Sequence, residues 1–70
     1  LSEHGGDLLA TLEAFLGTGS IEGTARQLFI HANTVRYRLG RVEDVTGLTP
    51  TDSRDAYALR LGLSLGRILG

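Results

Sequence analysis

Apolar positions recur along this chain at helical spacing in four separate blocks. Leu8, Leu9, Leu12, Phe15 and Leu16 follow an i, i+1, i+4, i+7, i+8 pattern, which describes one buried helix face. Asp7 is placed to cap that helix and Gly17 and Gly19 to stop it. The spacing therefore predicts a helix over about 7–17, with residues 1–6 as a linker or frayed end. Ser20 suits the N-cap of a short second helix over about 21–29, with Ala25 and Leu28 facing inward and Gly23 weakening it. Phe29 and Ile30 follow as apolar turn residues, expected to plug the core before the third helix. That helix, over about 32–46, carries Val35, Leu39 and Val42 on one stripe at about 100° per residue. His31 or Asn33 can cap it, and Gly47 ends it in a left-handed turn.

The last block is ambiguous by period. Leu59, Leu61, Leu63 and Leu65 alternate strictly, a strand signal, but none is β-branched and no second strand is available to pair with. A helix over about 53–69 is expected, capped by Asp52 or Ser53, with Asp55 favouring its positive end. The preceding loop is anchored by Leu48. As a helix, the alternation yields two apolar stripes: Ala56, Leu59 and Leu63 on one side, Tyr57, Leu61, Leu65 and Ile68 nearly opposite. Arg60, Ser64 and Arg67 form a polar strip between them. One stripe serves the home core; the other is expected to meet a second copy of the chain or an upstream domain. The fold class is all-α, containing a helix-turn-helix.

Size bears on how such a domain is held together. Seventy residues make one small domain, which buries about 60% of the surface its unfolded chain exposes. There is no Cys, and His4 and His31 alone do not complete a structural zinc site, so no metal or cofactor is expected. The chain starts at Leu1 and has no Met, which suggests a piece of a longer protein or a processed one. No apolar run approaches the roughly 20 residues of a membrane span, and a cytoplasmic location is expected.

A net charge of −1 would argue against a nucleic-acid partner if it were spread evenly. It is not. Arg26, Arg36, Arg38 and Arg41 lie between Ala25 and Val42, a window that none of the eight carboxylates enters. Phosphate responds to the local patch and not to the sum. Opposite the apolar stripe of the third helix stand Asn33, Arg36, Tyr37, Gly40 and Arg41, the arrangement a major groove accepts.

Each of these side chains has a plain alternative role. Thr34, in the first turn, can reach a phosphate or base edge, or bond its own backbone. Asn33 can read adenine or merely cap. Arg36 is the leading candidate for a base contact, with guanine the usual target. Tyr37 can stack on the sugar-phosphate backbone or give its hydroxyl to a phosphate. Arg38 flanks the buried stripe and could instead pair with Glu43 or Asp55; Arg41 is suited to phosphate. At the positive helix end a neutral His31, accepting from a backbone N–H or touching phosphate, fits better than a metal ligand. A solvated charged face is the bland reading of all three arginines, but such a face normally interleaves carboxylates. Catalysis has little support: there is no nucleophile elbow, no phosphate-cradling glycine loop and no metal motif.

The run ARQLFIHANTVRYRLGRVEDVTGL closely resembles the C-terminal helix-turn-helix of PucR/CdaR-type bacterial transcriptional regulators, and more loosely the Fis-like branch. The resemblance extends over nearly the whole chain. It implies a four- to five-helix, homeodomain/Fis-like module at the C-terminus of a longer regulator whose upstream sensory domain responds to small metabolites. Two positions depart from the family pattern. Ala32 stands where many relatives carry a long basic residue, which removes one DNA contact, and Gly23 where relatives generally have a better helix former. The expected function is sequence-specific binding of double-stranded DNA by a homodimer, through His31, Asn33, Thr34, Arg36, Tyr37, Arg38 and Arg41. The competing reading is a helical dimerisation or protein-interaction module that does not bind DNA.

Overall fold

The structure is a computed structural model that describes residues 2–66, with side chains from Asp7 onward. Four helices follow in order: α1 (Ser2–Thr18), α2 (Ile21–Leu28), α3 (Ala32–Thr46) and α4 (Ser53–Ser64). No strand occurs among the described residues: of the alternating leucines of the last block, Leu59, Leu61 and Leu63 are helical and Leu65 is the C-cap of α4. Their two stripes separate as the spacing requires. Leu59 is fully buried, with Ala56 and Leu63 packed beside it, while Tyr57, Leu61 and Leu65 are exposed.

The core has two parts. Leu12, Leu16, Val42 and Leu59 join α1, α3 and α4, with Leu8 and Leu48 against them. Phe15, Val35 and Leu39 form the second part, closed by Ile21, Ala25 and Ile30 from α2 and its turn. Among the described residues Thr11 and Thr24 are the buried polar ones, and both hydroxyls are satisfied on the spot. Thr11 donates to the Asp7 carbonyl (2.7 Å), and Thr24 to the Ser20 carbonyl (2.7 Å). Arg60 donates to the Leu16 carbonyl near the end of α1, tying α4 to the bundle by a second, polar contact.

Caps set most boundaries. Ser20 accepts from the Gly23 N–H (2.9 Å), as its position before α2 suggested. Asp52 caps α4 by accepting from the Asp55 N–H, and Gly47 (φ 75°) ends α3. Three expectations are corrected. First, α1 begins at Ser2 and not at Asp7. Asp7 caps nothing: its carboxylate reaches Arg38 of α3, and Gly5 and Gly6 weaken the extra turn without blocking it, since a glycine can adopt helical angles. Second, α4 stops at Ser64, short of the expected 69, because the chain turns at Gly66 (φ 68°), whose N–H bonds the Leu63 carbonyl. Ile68 and Arg67 lie outside the described residues.

The third correction concerns the turn between α2 and α3. Phe29 does not plug the core; it is 94% exposed. Its backbone is left-handed (φ 58°, ψ 43°), its N–H bonds the Arg26 carbonyl, and the Ile30 N–H bonds the Ala25 carbonyl (3.0 Å). That pair of bonds is the Schellman arrangement, in which the left-handed residue points outward and the next residue packs back on the helix. Ile30 accordingly takes the inward place that the sequence offered to both.

Candidate nucleic-acid interface

The α2–turn–α3 unit is fixed by residues that leave one face of α3 free. Val35 and Val42 are fully buried and Leu39 nearly so, which turns Asn33, Arg36, Tyr37, Gly40 and Arg41 to solvent. Tyr37 is 68% exposed, far more than packing would ask of an aromatic. His31 caps α3: its Nδ1 accepts from the Asn33 N–H (3.0 Å) while its carbonyl takes the N–H groups of Thr34 and Val35. Nδ1 is thus the accepting nitrogen of the ring, the capping role open to His31 at a positive helix end. The cap belongs to His31, which frees the Asn33 side chain.

The candidate residues divide along two edges of this face. Thr34, Tyr37, Arg38 and Arg41 line one cleft together with Asp7 and Leu8 of α1. Arg36 lies on the other edge, where Gly40, Ile21 and Thr49–Thr51 line a shallower depression. His31 sits at the start of the helix as a structural part of the same unit. Every expected contact residue is thus on α3 or at its cap.

The three arginines are not equivalent. Arg38 is the most sheltered, its side chain 24% exposed, and pairs with Asp7 (3.6 Å) while donating to Thr11 Oγ1 (3.4 Å). Neither expected partner holds it. Glu43 instead accepts from the Thr49 hydroxyl (3.1 Å) and Asp55 from the Thr49 N–H (2.8 Å), both securing the α3–α4 loop. Arg41 pairs with Asp44 one turn on (3.3 Å). Arg36 donates to the neutral Asn33 Oδ1 (3.0 Å), and among the described residues no carboxylate bridges it. Charge segregation along the sequence therefore overstated segregation in space, since Asp7 returns to the front from eighteen positions before the window opens.

The sequence reading also missed a hydroxyl cluster. Thr18 Oγ1 lies 3.0 Å from Thr24 Oγ1 and donates to the Ser20 carbonyl, while the Ser20 N–H donates back to it. Together with the Ser20 cap, this network fixes the entry to α2. Gly23 belongs to it as well: a Cβ there would lie 2.8 Å from Ser20 Oγ and 3.2 Å from Thr18 Cβ. The glycine that appeared to be a weakness is the space the cap occupies.

Two short helices joined by a three-residue turn, braced by α1 and presenting a polar outer face on the second, define a helix-turn-helix domain. The chain belongs to the PucR C-terminal helix-turn-helix domain family, whose model matches residues 8–65. It is 51% identical over 69 residues to an uncharacterised protein of Mycobacterium tuberculosis, covering 97% of this chain and 17% of that protein. It is 40% identical over 63 residues to the purine catabolism regulatory protein of Bacillus subtilis, covering 89% of this chain and 12% of the relative. A third relative, the proline-responsive transcriptional activator PutR of Bacillus subtilis, is 38% identical over 64 residues, covering 90% and 16%. Among solved structures, the regulator of polyketide synthase expression from Bifidobacterium adolescentis superposes with a TM-score of 0.78 at 52% identity, over 81% of this chain and 24% of that one. The chain thus spans between about an eighth and a sixth of the length of these curated relatives. No helix among the described residues is long and apolar enough to cross a membrane.

Proposed function

We propose that this chain is the DNA-binding output domain of a metabolite-responsive transcriptional regulator and binds double-stranded DNA sequence-specifically, with α3 in the major groove. The observation that carries the reading is the free face of α3. Its buried stripe fixes the helix, and its outer face offers Arg36, Tyr37 and Arg41 in reach of one groove. Relatives named for purine catabolism and for a proline response support a small metabolite as the signal, sensed upstream of this domain. The setting is a cytoplasmic one.

A single helix of this length offers few base contacts, so useful specificity calls for two half-sites and a homodimer. Tyr57 and Leu61, exposed on α4, and Leu65, exposed at its C-cap, are the proposed dimer contacts; Ile68, assigned to the same stripe from the sequence, lies outside the described residues. The same stripe is what favours the second reading, an interaction module without DNA binding.

Fluorescence anisotropy on a duplex pool across a salt series separates the two. DNA binding predicts affinity that falls with salt and drops about tenfold or more in Arg36→Ala and Arg41→Ala, with unchanged melting. If those variants bind as wild type does, or no duplex binds at low salt while Leu61→Glu disrupts association, the interaction module is the correct reading.

A further inference from the structure

Asn33 and Arg36 are successive outward residues of α3, one turn apart, and their side chains are bonded: Arg36 Nη1 donates to Asn33 Oδ1 at 3.0 Å. We infer that Asn33 is a positioning residue for Arg36, and that the pair together selects guanine where the front of α3 meets the major groove. This rests on the DNA-binding reading above and deepens it.

An asparagine reads adenine by accepting from N6 with its oxygen and donating to N7 with its amide nitrogen. Here the oxygen already accepts from a guanidinium. A base approaching that oxygen meets the neighbouring N–H donors of Arg36 as well, and adenine N6 presents a donor to them. Donor against donor is unfavourable. Apart from the second lone pair of Asn33 Oδ1, which the guanidinium donors flank, what the pair still has to offer is the Asn33 amide N–H groups and the remaining N–H groups of Arg36, all donors. Guanine answers with two acceptors, O6 and N7, and no major-groove donor.

The contrast with the other arginines sharpens the assignment. Arg38 and Arg41 are held by carboxylates, whereas Arg36 is steered by a neutral oxygen that directs its fork without cancelling its charge. The cap does not compete for Asn33, because His31 supplies it.

The experiment is selection of binding sites from a random duplex pool with wild type, Arg36→Ala, Asn33→Ala and Asn33→Asp, followed by anisotropy on the selected duplex. An aspartate keeps the acceptor for Arg36 and removes the amide donor; its negative charge near the start of α3 is compatible with folding. The expected result is a guanine at one position of each half-site, whose replacement by 7-deazaguanine weakens wild-type binding about tenfold. Arg36→Ala loses the preference at that position. Asn33→Ala keeps guanine as the favoured base but binds about three- to tenfold more weakly, and Asn33→Asp keeps the guanine preference too. Selection of adenine by wild type, with that preference lost in both Asn33 variants, would overturn the assignment and leave DNA binding intact. If no duplex is enriched and none binds in low salt, the DNA-binding reading itself fails, and this one with it.

Discussion

Phe29 holds a left-handed backbone that costs a residue with a side chain roughly 1–2 kcal/mol, and it recovers little by packing because it is 94% exposed. Phe29→Gly should therefore stabilise the fold by about 0.5–1 kcal/mol after the larger unfolded-state entropy of glycine is counted. A lower melting temperature in that variant would mean that the ring has a partner on the protein. The two helical glycines of the α1–α2 corner behave oppositely. Gly17 has open space where a Cβ would go, so Gly17→Ala should add about 0.5–1 kcal/mol from helix propensity alone. Gly23→Ala gains the same propensity but pushes Ser20 Oγ off the cap, which forfeits about 1 kcal/mol, and also presses on Thr18 Cβ. Thermal melting of the pair checks this: the first variant rises by about 4–8 °C per kcal/mol, and the second does not rise.

At the scale of elements, periodicity carried most of the fold. The buried stripe of α3 and its ends at Ala32 and Thr46 could be read from Val35, Leu39, Val42 and Gly47, because one helix buried on one side leaves a clean 3.6-residue pattern. The candidate face followed as its complement. Side-chain partners were not legible in the same way. Asp7 meets Arg38 across thirty-one positions of sequence, and only the packing of α1 against α3 brings them together. Phe29 and Ile30 were equally apolar, and the backbone of the turn, invisible in composition, decided which went in. The clamp between α1 and α3 makes its own prediction. Arg38→Ala should lower stability by about 1 kcal/mol, through lost stem packing as much as lost charge, whereas Arg36→Ala and Arg41→Ala stay within about 0.5 kcal/mol of wild type. Urea unfolding of the three variants gives the comparison, and equal losses in all three would remove the structural role assigned to Arg38.

For the whole molecule, size is the governing fact. The described helices occupy 30 × 27 × 19 Å around two small apolar clusters, and a domain this small has little core to spare. Leaving Tyr57, Leu61 and Leu65 in water is costly for such a body, which is why a second copy on α4 is the proposed partner. Leu61→Glu should shift the sedimentation of the protein toward monomer with its helical signal retained, and an unchanged distribution would exclude this stripe as the dimer contact. The arginine front has a consequence for the ions that DNA gives up. A guanidinium that arrives with its own carboxylate can still bond a phosphate but brings no net charge to it, so the counterion it displaces from DNA is offset by one that the released carboxylate takes up. Of the three arginines on the front of α3, Arg38 and Arg41 come so accompanied and Arg36 alone does not. The logarithmic dependence of affinity on salt should then have a slope of about −1 per subunit, against roughly −3 if all three acted as bare charges. Removing Asp7 or Asp44 would steepen it; on the proposed function, these carboxylates set how far the domain's grip on DNA varies with the ionic strength of its surroundings.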